Sequence, residues 1–255
     1  MKTVTLTNQK GGVGKTTTAH ILGIGLQRAG FRVLVVDTDP QTNLTYTAGI
    51  EPEETQFDMY DLFKGKATAE EAILHTAAGF DMIAGSLNLA GADMEFTKAG
   101  REYILKELLE PVADKYDYCI IDTPPSLGIL VLNALTASDE VIVPMGADVY
   151  SLQGLSQLHG LFENVRKYCN PALTINGLLL TKYNPRANIS KQLKDTLHNV
   201  AEQLHTKVYG SQIRKAVAIE EVQFLQSDIF KEYPAANVTA DYQQFIDEFI
   251  EGMEA

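Results

Sequence analysis

Tryptophan is absent from this 255-residue chain, and Cys119 and Cys169 are its only cysteines. Neither belongs to a Cys-x-x-Cys pair, so a zinc or iron–sulfur site has little support. Two free thiols in apolar or helical stretches suit a reducing compartment. No apolar run approaches the roughly 18 residues of a membrane-crossing helix. The first residues already read as a strand, which leaves no room for a secretory leader, so a cytoplasmic protein is expected. Cations are in deficit: 21 Lys and Arg face 33 Asp and Glu, a net charge of −12, which argues against a uniformly basic nucleic-acid binder. Low-complexity segments and internal repeats are also missing. What remains is an ordinary globular composition, 45% hydrophobic, of a length that suits one large domain spanning residues 1–255.

Strand-like and helix-like patterns alternate along the chain. Strands are expected at Thr3–Thr7, Arg32–Asp37, Phe80–Ala84, Tyr118–Asp122, Glu140–Pro144 and Thr174–Thr181, with a short one near Val208–Tyr209. Val33-Leu34-Val35-Val36 and Cys119-Ile120-Ile121 are continuous apolar runs, as in strands covered on both faces. Helices are expected over 15–29, 99–112, 127–137, 150–169, 187–205 and 236–252, with short helical pieces at Met59–Phe63 and Thr68–His75. The pattern predicts an α/β fold with one doubly wound, mostly parallel sheet flanked by helices.

The most informative segment is Asn8-Gln9-Lys10-Gly11-Gly12-Val13-Gly14-Lys15-Thr16-Thr17-Thr18. It follows a strand and opens a helix, the context that turns a glycine motif into a phosphate-binding loop. Gly11, Gly12 and Gly14 allow a tight turn whose N–H groups face phosphate oxygens, with the helix N-terminus adding positive potential. Lys15 can reach β- and γ-phosphates, and the Thr16 hydroxyl can bind Mg²⁺. The strict pattern G-x-x-x-x-G-K-[ST] needs glycine at position 9, where this chain has Gln9 followed by Lys10. Two ammonium groups on so short a loop repel unless a polyanion separates them or one turns away. Lys10 is therefore either a solvated surface lysine or a second phosphate contact.

Two aspartate motifs follow strands. Asp37-Thr38-Asp39-Pro40-Gln41 comes first, and an Asp at a strand end is often only a turn residue. Cys119-Ile120-Ile121-Asp122-Thr123-Pro124-Pro125-Ser126 comes second, an apolar strand delivering a carboxylate toward a Mg²⁺ shell, with two prolines that end the strand. Charge is also uneven. Lys182, Arg186, Lys191, Lys194, Lys207, Arg214 and Lys215 are opposed only by Asp195 and Glu202, a local +5, whereas beyond residue 216 Lys231 alone faces nine carboxylates. The basic stretch is either a DNA-phosphate surface or a solvated helix face, as Lys191 and Lys194 one turn apart would suggest.

The Lys10–Thr17 loop, the Asp37–Gln41 and Asp122–Ser126 segments, and the stretches Leu132–Ala137 and Tyr150–Leu158 resemble the ParA/MinD family of ATPases with a deviant Walker A motif. The resemblance covers nearly the whole chain. It implies a P-loop ATPase using ATP, ADP and Mg²⁺. The nucleotide-binding residues it implies are Lys10, Gly11, Gly12, Val13, Gly14, Lys15, Thr16 and Thr17. Lys10, Lys15 and Asp39 would be catalytic: Lys10 touching the nucleotide of a second subunit in a sandwich homodimer, Asp39 positioning the attacking water. Thr16, Asp37 and Asp122 would surround the metal. A ParA-type partition switch would bind non-specific DNA through Arg186, Lys191, Lys194, Arg214 and Lys215, work with a ParB-like centromere-binding protein, associate with the nucleoid and avoid membranes. A MinD-like membrane switch is the alternative, although it needs a basic amphipathic tail, whereas the tail here, Asp241–Glu251, is apolar on one face and acidic on the other. ATPases related to nitrogenase iron protein would need interface cysteines, and synthetases with a similar loop would need an acceptor pocket. On the base side, Thr181–Arg186 resembles the purine-side loop of the family. Ile213-Arg214-Lys215-Ala216-Val217 stands where relatives read Ile-Pro-Arg-Asn-Val, so no adenine-contacting residue is named.

Overall fold

The computed structural model describes residues 1–146, 150–184 and 197–254. Eight strands form one sheet: β1 Lys2–Leu6, β2 Val33–Asp37, β3 Ile73–His75, β4 Asp81–Ile83, β5 Tyr118–Asp122, β6 Glu140–Gly146, β7 Thr174–Tyr183 and β8 Val208–Arg214. Their spatial order is β3-β4-β2-β5-β1-β6-β7-β8. Every neighbouring pair is parallel except β3 with β4. The expected doubly wound α/β sheet is therefore what the chain builds.

Alternation along β2 explains how one sheet carries two cores. Val33 and Val35 face helix α1 (Lys15–Arg28) and the C-terminal helix Asn237–Glu254, while Leu34 and Val36 face the opposite layer with Leu105, Leu109 and Leu130. The strand order reverses direction at β1, which lies between β5 and β6. In open parallel sheets the crevice beyond the carboxyl ends at such a reversal is where ligands bind. The glycine loop leaves β1 at that place.

The C-terminal helix is a packing element. Tyr242, Phe245, Ile246 and Phe249 are buried in the core beneath α1, and each such side chain contributes roughly 1.5–3 kcal/mol of burial. The approach is close: a Cβ on Gly25 would stand 2.2 Å from Ile246 Cδ1. The apolar stripe of the tail is thus inside the protein. Among the described residues no helix is long and apolar enough to cross a membrane.

Three expectations are corrected. The helix at Thr68–His75 is only one turn, Ala69–Ala72, started by a capping box between Thr68 and Glu71. The chain then enters β3, which pairs antiparallel with β4 through Ile73–Ile83, Leu74–Met82 and His75–Asp81. A tight turn makes this possible, with Gly79 at φ 94 and the Thr76 N–H and hydroxyl both donating to the Phe80 carbonyl. The helix at 99–112 is interrupted: only Ile104–Leu109 is α-helical, flanked by 3₁₀ turns at Arg101–Tyr103 and Glu110–Lys115, the second containing Pro111 near its start. The last strand runs well past Tyr209 to Arg214. Of the helix expected at 187–205, residues 197–203 are helical. Its earlier part, with Lys191 and Lys194, lies outside the described residues, as does Arg186 just before it.

One buried group ties this packing to pH. His20 on α1 is 4% exposed and meets Phe80 edge-on, ring centroids 5.8 Å apart. Burial pushes its pKa down from 6.5 to about 4, with Asp228 opposing the shift. The unfolded chain therefore binds more protons here between those two values. The associated stability is complete above pH 6.5 and drains away as pH falls toward 4, a loss of about 3 kcal/mol. His20→Phe is expected to flatten that part of the stability–pH curve, measured by urea unfolding at several pH values between 4 and 7.5; an unchanged slope would show that other groups carry it.

Candidate phosphate- and metal-binding site

The loop after β1 is anchored at both ends. Asn8 Nδ2 donates to the Pro144 carbonyl at 2.8 Å, while Asn8 Oδ1 accepts from the Lys10 N–H at 3.0 Å. On the far side, the Thr181 hydroxyl at the end of β7 donates to the Val13 carbonyl at 2.7 Å. Gly12 and Gly14 take left-handed φ values of 70 and 87, which a side chain would strain. Gly14 is the N-cap of α1, and no side chain caps it. No acidic residue occupies the first turn, so that turn presents uncapped N–H groups and the positive end of a 14-residue helix.

Three carboxylates gather at the ends of β2 and β5. Asp37 and Asp122 are register partners on these adjacent strands, and both are fully buried. Asp37 accepts three hydrogen bonds: Oδ2 from the Thr45 N–H at 3.0 Å and its hydroxyl at 2.7 Å, and Oδ1 from the Asp39 N–H at 3.0 Å. Thr45 belongs to the short helix α2 (Asn43–Thr47), and its hydroxyl accepts in turn from the Gly85 N–H at 2.8 Å. Burial raises the Asp37 pKa to about 6 against the pull of these hydrogen bonds. Asp39 stays in the loop, with Oδ1 accepting from the Gln41 N–H at 2.9 Å. Asp122 is only half satisfied, because Oδ2 accepts from the Thr16 hydroxyl at 2.6 Å while the buried Oδ1 has no partner. Burial raises the Asp122 pKa strongly, and Asp37 adds to that rise. Lys15, 6% exposed, lies near Asp122 and Asp39; burial lowers its pKa while both carboxylates oppose the shift.

This donor set fits a small hard cation. A buried carboxylate oxygen without a partner and an adjacent hydroxyl are oxygen ligands of the kind Mg²⁺ takes, leaving its other positions for water and phosphate. Among the described residues no three His, Cys, Asp or Glu side chains are disposed to hold a metal ion by themselves, so an all-protein metal cage is not formed there. Asp37, expected beside the metal, has its oxygens committed to Thr45 and Asp39. Its contribution here is to tether the Asp39 loop.

The cavity above the loop has a volume of about 500 Å³, lined by Gly12, Lys15, Thr16, Asp39, Tyr46 and Phe224 among others. A narrower space of about 150 Å³ adjoins it, walled by Ile213, Ala216, Ile219 and Tyr242. Gly14, Thr17, Lys182 and Gln223 line both. Another cavity, about 570 Å³ around Arg32, His75 and Tyr116, contains none of these residues and lies away from the carboxyl ends of the parallel strands.

Several site residues were not legible in advance. Thr45 and Thr181 act through hydroxyls that only the fold brings near Asp37 and Val13. Gln223, whose Nε2 donates to the Thr17 hydroxyl at 2.9 Å, is 206 positions away in sequence. Among the basic candidates, Arg214 makes a fork to Asp241, 2.6 Å from Nε and 2.7 Å from Nη2, so its charge is already matched. Lys215 is exposed, with its N–H donating to the Tyr183 carbonyl at 3.2 Å.

Glycine loop, helix N-terminus, Thr16–Asp122 pair and reversing parallel sheet define a P-loop nucleoside triphosphatase. Comparison with known proteins narrows the class. The model of a family described as an AAA domain matches residues 1–175. The sporulation initiation inhibitor protein Soj of Bacillus subtilis is 43% identical over 222 residues, covering 86% of this chain and 87% of Soj. The chromosome partitioning protein ParA of Caulobacter vibrioides is 39% identical over 225 residues, covering 87% and 83%. A structure described as cobyrinic acid a,c-diamide synthase from Mycobacterium smegmatis, with bound ATP analog and magnesium, superposes with a TM-score of 0.88 at 32% identity, covering 100% of this chain and 96% of that one. The chain belongs to the AAA-domain family, as a ParA/Soj-type partition ATPase.

The Asp37–Thr45 contact generates a stability prediction. Thr45→Val removes the hydroxyl and leaves a buried carboxylate short of one donor, which costs about 1–3 kcal/mol. Urea unfolding at pH 7 should register that loss. Equal stability of variant and wild type would show that the tether is dispensable.

Proposed function

We propose that this chain is an ATP-driven partition switch that closes into a twofold dimer, binds DNA without sequence preference, and releases it on hydrolysis to ADP. The observation that carries this reading is the half-satisfied Asp122 beside Thr16 at the uncapped start of α1. The N–H groups of Gly11 to Thr17 cradle the phosphates, and Lys15 neutralises charge at the β- and γ-positions. Thr16 and Asp122 would hold Mg²⁺, which would supply charge neutralisation to the phosphates during transfer. Asp39 orients the attacking water. Its loop is tethered through Asp37 to α2, so the position of Asp39 and that of Tyr46 at the cavity mouth are mechanically linked. Lys10 reaches across the dimer to the nucleotide of the second copy. Phosphoryl transfer leaves little covalent work for the protein, so catalysis is mainly positioning, slow in isolation and stimulated by a ParB-like centromere-binding partner. Association with the nucleoid follows from the DNA step.

The DNA surface in this reading centres on Lys215 and the lysines and arginine between 186 and 194. Arg214 contributes to the local fold through Asp241 instead. Cations that contact phosphates release counterions and give salt-steep, sequence-independent affinity, and dimerisation doubles the patch. A membrane role is disfavoured by the buried apolar face of the C-terminal helix.

The test measures binding to a non-specific duplex with ATP, ADP or no nucleotide across a salt series, with Asp39→Ala slowing hydrolysis. Binding is expected with ATP alone, and Lys215→Ala in each subunit should reduce the log–log salt slope by about 0.9 per lost contact. An ATP-induced dimer that ignores DNA at low salt would remove DNA as the direct partner.

A further inference from the structure

The phosphate cavity contains a cation that the loop motif does not account for. Lys182 is the next-to-last residue of β7 and follows Thr181, whose hydroxyl is tied to the Val13 and Met145 carbonyls at 2.7 and 3.0 Å. The lysine backbone is left-handed, φ 52, one of four such non-glycine residues among those described. A residue with a Cβ is strained there, and a glycine would relieve it. The conformation throws the side chain back over the glycine loop: Lys182 Nζ stands 4.0 Å from the position a Cβ on Gly12 would occupy. Lys182 is exposed, and no carboxylate among the described residues forms an ion pair with it. It also lines both the phosphate cavity and the narrower adjoining one. A strained lysine held by an anchored neighbour, with its ammonium unpaired at the junction of two cavities, is arranged for an anion.

We propose that Lys182 is a third cation of the polyphosphate cradle, contacting the α- or β-phosphate of the nucleotide bound by its own subunit. This assignment rests on the nucleotide reading given above. It separates three lysines by what they meet: Lys15 the β- and γ-phosphates, Lys10 the second copy's nucleotide, and Lys182 the part of the chain nearest the base. A bound polyanion attracts the Lys182 ammonium directly. Because the contact is made within one subunit and away from the γ-phosphate, it supports ADP as much as ATP and does not depend on dimerisation.

The test compares wild type with Lys182→Gly, which accepts the left-handed backbone while removing the ammonium, and Lys182→Arg, which keeps the charge. Calorimetric titration with Mg·ADP and with a non-hydrolysable Mg·ATP analogue gives the affinities, adenosine serves as a ligand without phosphate, and thermal unfolding without nucleotide checks the fold. Lys182→Gly should weaken both nucleotides equally, by about tenfold, and leave adenosine and the melting temperature undiminished. Lys182→Arg should recover most of the affinity. Wild-type affinity for ADP in Lys182→Gly would overturn the assignment, as would an equal loss for adenosine, or a loss of DNA binding with nucleotide affinity intact. Failure of the wild type itself to bind either nucleotide would instead overturn the underlying nucleotide reading.

Discussion

Two carboxylates buried side by side are the constraint around which this molecule is arranged. Asp37 and Asp122 end adjacent parallel strands in register, without solvent, so burial raises the cost of ionising both and Asp37 adds to it at Asp122. Nothing in a strand-pairing argument requires them. A sheet of this kind would be more stable with apolar residues at both places, because unpaired buried charge is among the most expensive features a core can hold. The surroundings relieve the two groups unequally. Asp37 receives three hydrogen bonds, two of them from Thr45, and becomes an internal anchor. Asp122 receives one, from Thr16, and keeps an oxygen with no partner. That asymmetry separates a carboxylate that holds the structure from one that is kept for a ligand.

The rest of the architecture follows from keeping this arrangement dry and rigid. The sheet is covered on both faces, with α1 and the C-terminal helix on one side, so the strand ends carrying the carboxylates are defined by deep packing rather than by loops. Thr181 ties the glycine loop to β7, Asn8 ties it to β6, and Thr16 ties it to β5. The loop is therefore stretched across several strand ends, and its N–H groups are held in place before any anion arrives. Preorganisation of this kind is what makes fixed dipoles effective, since no reorganisation is needed at the moment of binding.

How much of this could be read beforehand depends on whether a feature is local. The central strands declared themselves as apolar runs ending in Asp37 and Asp122, and the loop declared itself through glycines flanked by strand and helix. Those signals are carried by neighbouring residues. The edge strand Ile73–His75 was misread as helix because its capping box, Thr68 with Glu71, is a true helix start; the turn at Gly79 and pairing with β4 then outweighed it. Arg214 looked like part of a basic patch because charge counting ignores distance, and Asp241, 27 positions later, takes up its guanidinium. Thr45 and Gln223 gave no signal, since a threonine or a glutamine means nothing chemically until the fold places it, and Lys182 stood out only within the Thr181–Arg186 loop and the basic stretch, not as a residue of the phosphate cavity.

The same distinction bears on how a hydrolysis event in one cavity could be felt elsewhere. Asp39 sits on a short loop whose two ends are constrained differently: one by β2 and the Asp37 carboxylate, the other by Thr42, left-handed at φ 54, and the helix carrying Tyr46. Tyr46 is 44% exposed and Phe224 78%, and both border the phosphate cavity. Exposed aromatics at the rim of a charged cavity are costly to leave in water and favourable to cover. Asp39 and Tyr46 are connected through Asp37 and Thr45, because the Asp37 carboxylate accepts from the Asp39 N–H on one side and from Thr45 of the five-residue helix α2 on the other. The loop that carries Asp39 and the aromatic rim of the cavity are thus joined by one short chain of hydrogen bonds, and that chain is centred on the buried Asp37 carboxylate.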